Sequence, residues 1–284
     1  MKSISFLICL VFFELNQAQI WMVDPLEPIF PDSNDLIQYS NEWKADFPLG
    51  TSADVHVVLE LTPNTEFSVT ATMGAEKLDH SVWSHLIDVP VEQNTGLDSR
   101  TEQFINKKNP HVIRRAPFRI YEVIRPLKKD KFFTRNRFHA LRLSIPASLI
   151  SISGEFQVNI QIIGDAENYK GTFNFVVHPI ELPKLSQSKF FYTNWFNLSR
   201  MEEKHDIKRW TKPWFSMLEK YASLMAHGRQ NSITIPNELV QFEEGLISLD
   251  ENKLIKFIDV FRKFGFQYYE SPHLLYRGDE DDWG

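Results

Sequence analysis

Between about residues 24 and 180, apolar and polar positions alternate in short runs separated by turn signals. The clearest run is Phe156-Gln-Val-Asn-Ile-Gln-Ile162, whose period of two sets Phe156, Val158, Ile160 and Ile162 on one face of a strand. Residues 172–177 repeat the pattern after a turn expected at Gly171. Further strands are predicted at 54–61, 67–71, 81–91, 118–124 and 139–145, with Pro63-Asn64 as the turn after the first. No helical period interrupts them. Several short alternating strands in series predict a β-sandwich.

The pattern then changes. His178 to Ser188 carries two prolines and a polar stretch, and reads as a linker. Beyond it, Phe190 to Phe196 is an aromatic-rich strand candidate. Thr211 and Pro213 open a helix whose stripe is Trp214, Leu218, Tyr221 and Met225, with Gly228 as its stop. Residues 232–235 form a second strand. Asp250 caps a helix with the stripe Leu254, Phe257, Ile258 and Phe261, ended by Gly265, and residues 266–269 form a third strand. The order β-α-β-α-β implies parallel strands joined by helical crossovers. A doubly wound sheet and a (β/α) barrel share that order. A barrel needs about 250 residues, so the expectation is that residues 1–284 belong to a longer protein.

The N-terminus reads as an export signal. Met1-Lys2 is followed by an apolar run from Ile4 to Phe13, too short for a membrane span of about 20 residues, and Ala18 precedes a cleavage point before Gln19. The expected location is therefore periplasmic or extracellular. The expected organisation is a signal peptide (1–18), a β-sandwich (19–183) and an incomplete barrel (184–284). Cys9, inside the signal, is the only cysteine, so the mature chain must fold without disulfides. A formal charge of −6 gives no basic footprint for nucleic acid. The clusters Lys107, Lys108, Arg114, Arg115 and Lys128, Lys129, Lys131 read as solvated loops. No zinc spacing, phosphate-binding glycine loop or Ser-His-Asp grouping occurs, so no cofactor or metal is expected.

Tyr192-Thr-Asn-Trp-Phe-Asn-Leu198, His205, residues 214–222 and Met225-Ala-His-Gly-Arg-Gln-Asn231 together carry a resemblance. In order and spacing this part of the chain is similar to the start of the catalytic domain of glycoside hydrolase family 123, a family of exported β-N-acetylgalactosaminidases. The resemblance covers residues 190–276; over the sandwich it is one of architecture. It implies a β-sandwich followed by a (β/α)8 TIM barrel. It also implies retaining hydrolysis in which the substrate's own 2-acetamido group attacks the anomeric carbon, the substrate-assisted exception to the two-carboxylate scheme. An adjacent Asp-Glu pair after a later strand would serve as orienting residue and general acid/base, beyond Gly284. Asp279-Glu280-Asp281-Asp282 matches the Asp-Glu order but stands in a highly charged stretch after the third strand, and reads as a rim loop. No catalytic residue is therefore assigned within the chain.

In a barrel, side chains at the C-terminal ends of strands face substrate. That rule selects Asn194, Trp195 and Asn197, then Asn237 and Glu238, then Glu270 and His273; His205 lies in the first strand-to-helix loop. Trp195 fits either stacking on a sugar face or ordinary packing, and His205 either sugar binding or an exposed helix position. Asn197 also opens an N-glycosylation sequon, and His227, Arg229 and Asn231 fit the bottom of the barrel. The partner expected is a glycan ending in N-acetylhexosamine. The alternative is a non-catalytic carbohydrate-binding or surface protein, with the sandwich as its working part.

Overall fold

The computed structural model describes residues 20–32, 40–92, 114–134, 137–165, 167–243 and 246–272. The chain divides into two compact units, 1–182 and 183–284. No described helix is long and apolar enough to cross a membrane. The signal stretch, His273 and Asp279 to Asp282 lie outside the described residues.

The first unit is built from two sheets. One has the order β1-β3-β9-β6-β7 and is antiparallel throughout: β1 (Ile20–Val23), β3 (Ala53–Glu60), β9 (Phe138–Ile145), β6 (Trp83–Val91) and β7 (Phe118–Pro126). The other has the order β2-β11-β10-β4-β5, from β2 (Glu42–Leu49), β11 (Asn168–Glu181), β10 (Gly154–Ile163), β4 (Thr65–Met73) and β5 (Glu76–Lys77). A short β8 (Lys131–Thr134) pairs with β4, and β2 joins β11 in parallel. Period-two patterning explains the layering. Val158, Ile160 and Ile162 of β10 are buried with Phe173, Phe175 and Val177 of β11, while Gln157 and Asn174 point outward and bond each other at 3.0 Å. These meet Val55, Val57, Leu141 and Leu143 of the facing sheet in one core. The outer face of that sheet has a second cluster around Trp21, Val58, Leu86, Tyr121 and Ala140, covered by Ile29. The carbonyl of Ile29 accepts from the Tyr121 amide at 3.0 Å.

Two expectations need correction here. Gly171 is not a turn. It lies inside β11 opposite Ile160, and the chain reverses between Gly164 and Glu167, whose backbones bond at 2.9 Å. A side chain at position 171 would overlap Met22 Cε, so the glycine marks a close approach between layers. The first residues of the expected linker, His178 to Glu181, continue β11, because β2 pairs alongside them. Residues 185–187 form a 3-10 turn.

In the second unit, α1 (Leu198–His205), α2 (Lys212–His227) and α3 (Glu251–Arg262) accompany a parallel pair, β12 (Ser232–Thr234) and β15 (Tyr268–Glu270). Met201, Trp214, Leu218, Ala222, Ile233, Phe257, Val260, Phe261 and Phe266 form the core. Asp250 caps α3 by accepting from the Lys253 amide at 3.1 Å. Thr211 flanks α2 without a side-chain cap, since its hydroxyl donates instead to the Lys208 carbonyl. At the other end, Gln230 donates to Met225 and Arg229 to Ala226, a Schellman closure with Arg229, not glycine, at φ 67°. An antiparallel hairpin, β13 (Val240–Glu243) and β14 (Leu246–Leu249), follows β12. The described strands of this unit form these two-stranded sheets, and a closed barrel is not seen among them.

Candidate functional site

Residues 190–196 were expected as a strand, but they run beside β12 without forming a ladder. Side chains and amides of residues 230–232 tie them to it. Asn231, fully buried, accepts from the Tyr192 amide at 2.8 Å through Oδ1 and donates to the Phe190 carbonyl at 2.7 Å through Nδ2. The amides of Asn231 and Ser232 both donate to the Tyr192 carbonyl at 3.1 Å. Gln230 Nε2 reaches the Ser232 and Asn194 carbonyls, at 2.8 and 3.3 Å. A carboxamide mimics a peptide group, so Asn231 supplies the pairing a strand neighbour would give.

This tether sets the positions of Asn194 and Trp195. Asn194 donates to the Tyr192 hydroxyl at 2.7 Å. Trp195 is 84% exposed, an unusual state for so large an apolar surface. Phe190 and Phe191 are exposed too, with Phe191 edge-on to Tyr268 at 5.3 Å. At the C-terminal end of the parallel pair, Thr234 donates to Glu270 Oε2 at 3.1 Å, and the Ile235 amide donates to the Glu270 carbonyl.

Asn197 and His205 stand at the two ends of α1. Asn197 caps α1 by accepting from the Arg200 amide at 3.0 Å. His205 ends the same helix, so the two are about 12 Å apart along its axis, and its Nε2 pairs with the Tyr221 hydroxyl at 3.0 Å. Asn237 and Glu238 begin a 3-10 turn after β12.

Glu238 belongs to a network with residues the sequence did not mark. Arg209 donates to Glu202, Glu238 and, at 3.1 Å, the Ser199 hydroxyl. Glu202 also accepts from Trp214 Nε1 at 2.8 Å. The network joins α1, the start of α2 and the segment after β12. Next to it, Trp210 holds φ 65°, rare for a bulky residue, its ring tilted 45° to that of Trp214 with centroids 4.9 Å apart. Glu202 and Arg209 lie seven residues apart across a helix end, and no local pattern announces such a pair.

The carboxylates of Glu202, Glu238 and Glu270 are each engaged by a donor. Among the described residues, no group of three His, Cys, Asp or Glu could hold a metal ion. The arrangement is an edge of exposed aromatic rings beside the Asn194 carboxamide.

No protein-family model matches the sequence, and no curated protein matches it. Among solved structures, the chain is similar to a family 123 glycoside hydrolase from Clostridium perfringens, studied for glycolipid glycan hydrolysis. The TM-score is 0.66 at 13% identity, over 88% of this chain and 46% of that one. Two others overlap poorly. A protein described as membrane-anchored from Corynebacterium diphtheriae has a TM-score of 0.25 at 11% identity, over 60% of this chain and 38% of that one. A protein described as an α-galactosidase from Bacteroides fragilis has a TM-score of 0.18 at 9% identity, over 79% and 35%. Neither of these carries an argument. The chain therefore spans about half the length of the family 123 structure, and shares with it a distantly related, glycoside hydrolase-like fold.

Proposed function

We propose that this chain is the N-terminal part of an exported glycoside hydrolase that releases terminal β-linked N-acetylgalactosamine. The observation that carries the reading is the fold likeness to a family 123 hydrolase across 88% of the chain. In this reading, residues 1–18 are the export signal, residues 19–183 the sandwich and residues 184–284 the opening of the catalytic barrel. Trp195 stacks on the apolar face of the sugar, and Asn194 and Glu270 hold hydroxyls. His273, outside the described residues, is a further sugar-binding residue in this reading. Asn197 and His205 act at the rim of the first loop. The substrate's acetamido group displaces the leaving group, and an Asp-Glu pair following Gly284 orients it and transfers the proton.

The test uses the longer protein that contains this chain, incubated with an aryl β-N-acetylgalactosaminide. Proton NMR reads the configuration of the first sugar released. Release of the β-anomer supports the reading. Inverted product, or no hydrolysis of N-acetylhexosaminides, overturns it.

A further inference from the structure

The parallel pair of β12 and β15 has two faces of opposite character. Ile233 is buried in the core of the second unit, and its ladder partner Tyr269 packs against that core, its hydroxyl donating to the Ile258 carbonyl of α3 at 3.3 Å. The period of two then places Ser232, Thr234, Tyr268 and Glu270 on the face turned from the helices. Parallel strands are usually apolar on both faces, because both are covered. Here the second face carries a hydroxyl or carboxylate at every position. At its C-terminal end Thr234 and Glu270 are direct partners in the ladder, and both are half-buried. The Thr234 hydroxyl donates to Glu270 Oε2 at 3.1 Å, and the Ile235 amide donates to the Glu270 carbonyl at 2.9 Å. Main chain and carboxylate are therefore both held, while Glu270 Oε1 has no hydrogen-bond partner among the described residues. Threonine suits this position: its β-branch restricts χ1, so the hydroxyl is aimed with little freedom.

We propose that Thr234 is a positioning residue for sugar binding: it pins one oxygen of Glu270 so that the other, Oε1, accepts from a hydroxyl of the bound N-acetylhexosamine. The inference rests on the glycan-directed reading of the chain and assigns Glu270 a specific atom within it. A hydrogen bond depends steeply on angle, so a carboxylate freed to rotate keeps its charge but loses its aim. Thr234 itself touches no sugar. Its contribution passes through Glu270, so the two residues act as a unit.

The experiment takes a protein carrying the whole catalytic domain and measures two things: N-acetylgalactosamine binding by titration calorimetry, and hydrolysis of an aryl β-N-acetylgalactosaminide. T234V removes the hydroxyl at nearly constant shape, and T234S keeps it. T234V should weaken binding by about tenfold, the scale of a lost hydrogen bond to a charged group, and should raise KM more than it lowers kcat. T234S should bind within about twofold of wild type. In the E270A background, T234V should have no further effect. Matching thermal melts will establish that the variants are folded, and T234A gives the same reading if the valine does not pack. Wild-type affinity in T234V, a T234S as weak as T234V, or additive losses in T234V/E270A would each overturn the proposal. Binding that depends on Thr234 without hydrolysis removes the hydrolase reading and keeps the positioning role. Hydrolysis with unchanged kinetics in T234V does the reverse, and a wild-type protein that neither binds nor hydrolyses removes both.

Discussion

Gly171 in β11 and Met22 in β1 occupy the same point between the two sheets, the glycine leaving the space that the methionine fills. A Cβ at position 171 would also stand 3.1 Å from the Asn41 carbonyl oxygen. Gly171→Ala should therefore cost about 1–3 kcal/mol through overpacking. In the Met22→Ala background that cost should shrink by about 1 kcal/mol. Urea denaturation of the two single variants and the double variant measures the coupling; strict additivity would show that the methionine is not the obstacle.

Stability should fall on mild acidification. His56 and His139 are held down to about 4 and about 3, first by burial and next by the positive charge of Arg142 and by His85, respectively. His85, also lowered to about 4 by burial, shares a 3.0 Å contact with His139, which stacks on Phe132. In the unfolded chain these rings bind protons below about 6.5. Their contribution is thus complete above pH 6.5 and lost as the pH falls toward 4, by about 2 kcal/mol at pH 4.5 for each of His56 and His139. The urea midpoint measured at pH 7 and pH 4.5 should drop, and should drop less in His56→Leu. Equal midpoints at the two pH values would contradict the assignment of neutral rings.

The sandwich was legible because its strands are half-buried, and a period of two survives in β10, β11, β3 and β4. Gly171 was misread because a glycine that yields space to a neighbouring layer looks, in one dimension, like a glycine that turns the chain. Residues 190–196 were misread for a related reason. Their aromatic richness signals burial in a ladder, but they are held by bonds to residues 230–232, two of them from the Asn231 side chain 39 residues from Tyr192. Helices α2 and α3 were legible from Asp250, Pro213 and their stripes, although the stripe of α3 includes Val260 and leaves Leu254 only half-buried, whereas α1 lies where a loop around His205 was expected. The Arg209 network was invisible because its partners come from three separate elements.

Asn231→Ala removes the two side-chain bonds that Asn231 makes to the 190–196 segment, leaving the Phe190 carbonyl and the Tyr192 amide unsatisfied. A loss of about 2–4 kcal/mol is expected. Asn231→Asp retains the acceptor for Tyr192 but not the donor for Phe190. It should fall between wild type and Ala in thermal unfolding; a stability equal to wild type for either variant would remove the tether.

Trp195→Ala should leave stability within about 0.5 kcal/mol of wild type, as an exposed substitution does. On the proposed hydrolase reading, a protein carrying the whole catalytic domain should show a KM for an N-acetylgalactosaminide raised by roughly tenfold, the scale of a lost aromatic contact. Unchanged kinetics would take Trp195 out of the sugar site.

The tether at Asn231 has a consequence for anyone altering ligand preference. Trp195 is displayed on a stretch of chain held by residues 230–232, so on the proposed reading its aim can be retuned without touching the residues that would meet a sugar. Variation at Gln230, Asn231 and Ser232 becomes a steering control for the aromatic edge. A selection for new glycan preference should recover changes there alongside changes at Trp195 itself.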